Sequence, residues 1–373
     1  MQLNLKFIVK RFGVFFITAL TSMFLVAAEY TWTGAGGDDH GWRTPANWGR
    51  TDNKYPVSGD RAIFPENCNA EVELGATNNY EAVNQLKVLA GAFVRFYAAD
   101  PTAETRLDLK SAWEVDNAGN TIEFDHIRVD GNKALVLGDG AVLTVKNNSD
   151  LRLGNTTVKK AARVSILSGS VVSSGWIDAD SSVGTLLAVD NATWAASGEF
   201  AFKNTATNLL SNGATMKIST NLSINGPNTL LSIDNAALLV NGAANLGTAT
   251  PGGGRILFKG DNPMLKSISG SEFRDGVNDA NMTSHIDFDF VVPEGGFAAP
   301  PIQWMGQQAF RNNGNSPNGY FRFNVLPSSP ALSAGTQTGC ILFYSLSGIT
   351  RTKASNGDTS TATLRFADMT GET

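Results

Sequence analysis

The chain repeats itself at a short, fixed interval. Thr185 opens TLLAVDNATW and Thr229 opens TLLSIDNAAL, 44 residues apart, and half of that interval carries the pattern too. Asn212-Gly213-Ala214-Thr215-Met216 stands 22 residues after Asp190-Asn191-Ala192-Thr193-Trp194 and 22 before Asp234-Asn235-Ala236-Ala237-Leu238. One step of 22 backwards reaches Ser168-Gly169-Ser170-Val171-Val172, and Asp139-Gly140-Ala141-Val142-Leu143 precedes that by 29, as a coil with a seven-residue insertion would. A unit so short cannot close a core alone and must stack on its neighbour.

Each copy has one grammar: a polar residue with Gly or Asn that tolerates positive φ, then a small residue, then alternating apolar positions. Ala141, Leu143 and Val145 alternate with Val142, Thr144 and Lys146, and Leu151 and Leu153 flank Arg152, so one face points inward and one to solvent. Strands of three to five residues stacked at about 4.8 Å per coil make a parallel β-helix. A sandwich also has short strands, but its hairpins need not repeat residue identity at one spacing. The residues Asp139, Ser168, Asp190, Asn212 and Asp234 are expected to form one polar ladder at a turn. Composition agrees: 17% of residues are charged and 38 are Gly, against 42% hydrophobic, which disfavours both helix-rich and disordered chains.

The first 28 residues read as an export leader. Lys6, Lys10 and Arg11 form a basic start, Phe12 to Val26 is apolar and uncharged, and Val26-Ala27-Ala28 supplies small residues for cleavage after Ala28. That apolar run is short of the roughly 20 residues of a membrane span. Loss of the three cations changes the formal charge from −5 to −8, so nucleic acid and anionic lipid are poor partners. The mature chain is therefore expected outside the cell or at its surface, with no integral span.

The mature start places Trp32, Trp42 and Trp48 within 17 residues, among Gly and Asp, and continues through Pro56-Val57-Ser58-Gly59-Asp60 into a strand from Arg61 to Phe64. A solenoid needs its terminal edge and core covered, and this aromatic segment is the candidate cap. Trp32-Thr33-Gly34, Asn47-Trp48 and Gly59-Asp60-Arg61-Ala62-Ile63-Phe64 resemble the opening of secreted bacterial proteins with autotransporter-associated β-strand repeats, many of them in the PEP-CTERM-sorted group. The resemblance covers about residues 30 to 250. It implies an exported, passenger-like β-solenoid and assigns no active site. The chain departs from the family pattern after Leu326, where neither a barrel-forming domain nor a PEP motif with a closing apolar helix and arginine cluster follows.

From about Gly252 the register is lost and Pro, Phe and Gln become more frequent. His285-Ile286-Asp287-Phe288-Asp289-Phe290-Val291-Val292-Pro293 alternates like an antiparallel strand with one wet face, and Phe321, Phe323, Val325, Ile341 and Phe343 continue the pattern. The expected organisation is thus a signal peptide over 1–28, an N-terminal cap over 29–64, a right-handed parallel β-helix over 65–252, and a β-rich, sandwich-like region over 253–373. The fold class is all-β.

Candidate chemistry is sparse. Asp125-His126-Ile127-Arg128-Val129-Asp130 is the densest constellation, with His126, Arg128 and Asp130 expected on one strand face, as a lyase or glycosidase groove would need. A glycosidase also needs two facing carboxylates and a lyase needs a base with metal ligands, and neither set is expected here. A solvated outer face is the preferred reading. Asp287 and Asp289, with Glu294 beyond, could be a calcium site, but solvent-facing alternation explains them. Gly34-Ala35-Gly36-Gly37-Asp38-Asp39 lacks the Lys and following helix of a phosphate loop and reads as a turn.

Trp42, Trp48, Trp176 and Trp194 could stack on sugars, but packing is the preferred role. Cys68 and Cys340, 272 positions apart, fit neither a metal spacing nor a disulfide framework, and His40, His126 and His285 are isolated. No catalytic, cofactor-binding or metal-binding residue is assigned, and no cofactor is expected. The expected role is a non-catalytic scaffold, adhesin or matrix element whose partners are extracellular glycans or other surface proteins. A polysaccharide-active β-helix enzyme is the alternative.

Overall fold

The computed structural model describes residues 27–75, 80–115, 119–180, 185–203, 207–225, 229–242 and 254–267, and thereafter 244–245, 273–275, 285–303, 310–312, 320–326, 328–330, 349–351 and 364–368. The expected leader lies almost wholly outside them, as does Cys340.

The protein is an all-β parallel solenoid. One sheet, called here the long sheet, has 12 strands among the described residues, each paired in parallel with the strand one coil away. A second and a third ladder complete each coil. The coil of Val142–Lys146, for example, continues through Asp150–Val158, whose first half pairs with Val171–Ser174 and whose second half pairs with Ile177–Asp180, before returning to the long sheet at Arg163–Leu167. Among the described strands every ladder is parallel, and the antiparallel contact among the described residues is an isolated bridge between Trp32 and Trp48. Backbone hydrogen bonding therefore runs along the solenoid axis, between coils about 4.8 Å apart.

Alternation places the core. In the long sheet, Val72, Phe96, Phe124, Val145, Ile166, Val189, Leu210, Ile233, Phe258 and Phe290 stack in register and are buried. The neighbouring inward stack includes Leu143, Val164, Leu187, Asn208, Leu231, Ile256, Phe288 and Phe323. Leu153 is buried as well, in the strand Asp150–Val158 of its coil. Asn208 interrupts an otherwise apolar stack: both of its side-chain polar atoms are buried without a hydrogen-bond partner among the described residues.

The 22-residue interval is an average. Successive steps in that stack are 21, 23, 21 and 23 residues from Leu143 to Leu231. The corner leaving the long sheet carries left-handed residues at Asn148, Ser168, Asn191, Asn212 and Asn235. Their amides are linked coil to coil, Ser168 N–H to the Asp190 carbonyl at 3.2 Å and Asn212 N–H to the Asp234 carbonyl at 3.2 Å. The Asn212 amide also donates to the Asp190 carboxylate at 2.7 Å, so this part of the polar ladder forms. Asp139 does not belong to it. Asp139-Gly140 lies at the opposite corner, entering the long sheet, where the Gly140 N–H meets the Lys160 carbonyl at 2.9 Å. The coil of Val142–Lys146 supplies Asn147 and Asn148 to the column instead. Similar turn chemistry at two corners misled the spacing.

The expected change of architecture at Gly252 does not occur. Arg255–Lys259, His285–Phe290, Tyr320–Val325 and Leu364–Asp368 extend the same long sheet in parallel, so the segment from His285 is neither antiparallel nor part of a sandwich. The in-register step lengthens to 25, then 32, then 35 residues from Leu231 to Phe323, while the described strands still stack. Ring stacking marks the continuity, with Phe258 on Phe290 and Phe288 on Phe323 each at 5.0 Å.

At the other end, Glu29–Thr31 and Arg61–Phe64 are already paired strands of the third ladder. Trp32, Trp42 and Trp48 are buried together, with ring centroids 5.1 Å apart for Trp32 and Trp48 and 4.9 Å for Trp42 and Trp48. They rest on Phe64 and Phe96. Gly34 and Gly37 have positive φ and the Asn47 side chain accepts the Gly36 N–H, so the glycine-rich segment is a turn.

Replacing Ile233 by Asp should place a charge between Leu210 and Phe258 and lower stability by several kcal/mol. Replacing outward, exposed Lys217 by Ala should stay within about 0.5 kcal/mol. Thermal melts compare the two, and equal losses would mean that the inward register is misassigned.

Candidate functional site

The densest constellation in the sequence is split by the fold. Asp125 ends a strand of the long sheet, His126 takes a left-handed conformation at the corner, and Arg128 and Asp130 start the next ladder. Ile127 and Val129 point into the core, so Arg128 and Asp130 do share an outer face. His126 is not part of that face. Its Nδ1 lies 2.8 Å from the Asp125 carboxylate, across the corner.

Two charge networks result. On the long sheet, Arg95 lies between Glu71 and Glu123 in register and reaches Glu71 at 3.1 Å, Glu123 at 3.1 Å and Asp125 at 2.6 Å. Lys146, one coil on, contacts Glu123 at 2.6 Å. The Asn147 amide donates to Asp125 at 2.8 Å. On the second ladder, Asp130 is shared by Arg106 at 2.8 Å, Arg128 at 2.8 Å and Arg152 at 3.3 Å. Asp108, Asp150 and Glu104 contact the same arginines, and Lys110 contacts Asp108. That network holds four carboxylates and four cations. The Arg128 Nε lacks hydrogen-bond alignment despite its approach to Asp130, so this contact is chiefly Coulombic.

The arrangement ties adjacent coils together, because partners one coil apart in sequence become neighbours in space. It also keeps Asp125 ionised. Burial alone would raise its carboxyl, but hydrogen bonds from Arg95 and Asn147, the charge of Lys146 and the contact with His126 outweigh it and hold the group below its ordinary value. A general acid working near neutrality needs the opposite shift.

The other candidates are dispersed. Asp287 and Asp289 are buried, not solvent-facing as expected: Asp289 is paired with Arg255 and accepts from the Asn324 amide at 2.7 Å. These partners come from coils 34 and 35 residues away, beyond the reach of pattern reading. Glu294 is exposed beyond the strand end. Among the described residues, no group of three or more His, Cys, Asp or Glu side chains is placed to hold a metal ion. Trp42, Trp48 and Trp194 are buried, whereas Trp176 is 40% exposed. Burial pushes the half-buried Cys68 thiol up to about 11. His40 stands apart in the N-terminal turn, and the His285 side chain lies outside the described residues.

One feature escaped the sequence reading. Glu81 is buried beside Arg43 at 2.6 Å, and burial raises its carboxyl by more than Arg43 offsets. Only folding brings residues 43 and 81 together. A shallow depression of about 160 Å³ lies on the third ladder between Arg61, Gln85, Leu86, Lys87 and Glu114. Among the described residues no helix is long and apolar enough to cross a membrane. Comparison with protein-family models, with curated proteins and with solved structures gives no match.

Asp125 should contribute to acid stability with a definite sign. Its lowered folded-state value means that its contribution is complete above the unfolded carboxylate value near pH ~4 and is lost as pH falls through the folded value. Asp125→Asn should therefore be less stable than the parent at pH 7, with the gap closing in melts taken at successively lower pH. A gap independent of pH would remove the electrostatic account.

Proposed function

We propose that the protein is an exported β-solenoid, displayed at the surface or secreted, that acts as a non-catalytic scaffold, adhesin or matrix element. The observation that carries this reading is the pairing of outer-face charge. The carboxylates around Asp125 and Asp130 are committed to arginines and lysines of neighbouring coils, which suits a rigid rod better than a reaction centre. The leader-like first 28 residues and the Trp32 to Phe64 opening supply the export reading and the resemblance to secreted proteins with autotransporter-associated repeats. On the same reading the winding is right-handed, and extracellular glycans or other surface proteins are the partners.

The test is turnover. Incubation with neutral and acidic polysaccharides, with and without calcium, should give neither unsaturated products nor new reducing ends. Cleavage abolished by Arg128→Ala or Asp125→Ala in a folded protein would overturn the proposal in favour of a lyase or glycosidase.

The tryptophan cluster is assigned the role of a cap on the first coil. Removing residues 29–64 deletes two paired strands and the rings over Phe96, and should expose a free sheet edge and apolar core. Light scattering should then show end-to-end association. A monodisperse, cooperatively melting truncation would refute the capping role.

A further inference from the structure

Among the described tryptophans, Trp32, Trp42, Trp48, Trp113 and Trp194 are at most 4% exposed, while Trp176 is 40% exposed. It stands at the corner between the second and third ladders, and the backbone there is built around it. Gly175 precedes it, and a Cβ on Gly175 would lie 2.3 Å from the Asn155 side-chain oxygen. That oxygen accepts the Trp176 backbone N–H at 3.3 Å. On the other side, a Cβ on Gly198 would sit 2.8 Å from the Trp176 Cα. The coils above and below thus seat the Trp176 backbone tightly and leave its side chain outside.

The residues around this position are polar. The pairing of Thr156 with Ile177, Ile177 with Phe200 and Phe200 with Leu222 puts Asn155, Trp176, Glu199 and Asn221 in one column. The next column along the third ladder is Thr157, Asp178, Ala201 and the buried Ser223. The Ser223 hydroxyl donates to the exposed Glu199 carboxylate at 2.5 Å, which holds that group at the corner. A protein-docking hot spot would surround the ring with apolar neighbours, whereas these columns hold amide, hydroxyl and carboxylate groups.

We propose that this corner binds an uncharged pyranose chain, with a sugar ring stacked on Trp176 and its hydroxyls bonded to the Asn155, Glu199 and Thr157 side chains. An indole presents a flat apolar face to sugar C–H groups, and carboxylates and amides accept from sugar hydroxyls. The coil rise of about 4.8 Å is close to the length of one pyranose unit in an extended chain, so successive coils meet successive sugars. The exposed Glu199, on a chain of net negative charge, disfavours polyuronates. The proposal rests on the non-catalytic adhesive reading and names its ligand.

Affinity electrophoresis of the full chain through gels containing hydroxyethyl cellulose, galactomannan, glycogen or polygalacturonate tests it. At least one neutral polymer should retard the parent protein, and polygalacturonate should not. Trp176→Ala should weaken retardation about tenfold, the effect of losing one stacked ring, and Trp176→Tyr should retain part of it. Val171→Ala, at another exposed apolar position, should match the parent. Unchanged melting temperatures establish that the variants fold. No retardation by any neutral polymer, retardation by polygalacturonate alone, or retardation indifferent to Trp176→Ala would each overturn the proposal. None of these results bears on the scaffold reading, which stands or falls on turnover.

Discussion

Everything in this molecule depends on one constraint: each coil must bring the chain back to a strand whose backbone groups meet those of the coil before it. In a parallel ladder every amide and carbonyl of an interior strand looks along the solenoid axis to a neighbour. A coil that failed to return in register would leave those groups buried and unpaired, at a cost comparable to the lost hydrogen bonds. The inward side chains then stack by necessity. Val145 over Phe124 and Ile166 over Val145 follow from backbone pairing, and their burial makes the pairing stable.

The corners obey the same constraint with different chemistry. A sharp exit from the long sheet needs positive φ, which Asn and Gly adopt at little cost, and Asn148, Asn191, Asn212 and Asn235 occupy such positions. Stacked asparagines and aspartates then bond across coils, as Asn212 does to Asp190. Where the spacing between strands lengthens after Leu231, the described strands keep their partners. Insertions between stacked strands cost little because loop-closure entropy grows slowly with length. Asn208 shows the tolerance of the core itself, since an amide without a partner among the described residues sits there between Leu187 and Leu231.

Charge on the outer faces is organised by stacking too. Arg95, Lys146 and the arginines around Asp130 each meet acids from adjacent coils, which turns residues dispersed over more than 20 positions of sequence into compact networks. Such networks add lateral ties between coils and reduce the repulsion that like-charged columns would create. The same arrangement favours the carboxylate form of Asp125.

The sequence by itself determined the class of fold, because an apolar alternation and a turn signal recurring at one short interval have few physical solutions. It also determined which side chains of a strand point inward: Leu143, Leu153, Ile166 and Ile233 are all buried as the alternation requires. Register and partnership were decided only by the tertiary structure. Asp139 carries the same turn grammar as Ser168 yet sits at a different corner, since local sequence specifies a turn but not which side of the coil it closes. The strand from His285 alternates like a half-wet antiparallel strand, but it pairs in parallel with the coils on both sides, and Arg255 and Asn324 of those coils reach the buried Asp289. The candidate site divided for the same reason. Within Asp125 to Asp130 the order of residues is written in the chain, whereas the arginines that neutralise them come from coils before and after, and Trp176 is exposed at a corner where Gly175 and Gly198 leave no room for a Cβ. Contacts along a solenoid axis join residues a full coil apart, and the repeat gives that spacing only on average, so the exact partner of each side chain is set by the stacking.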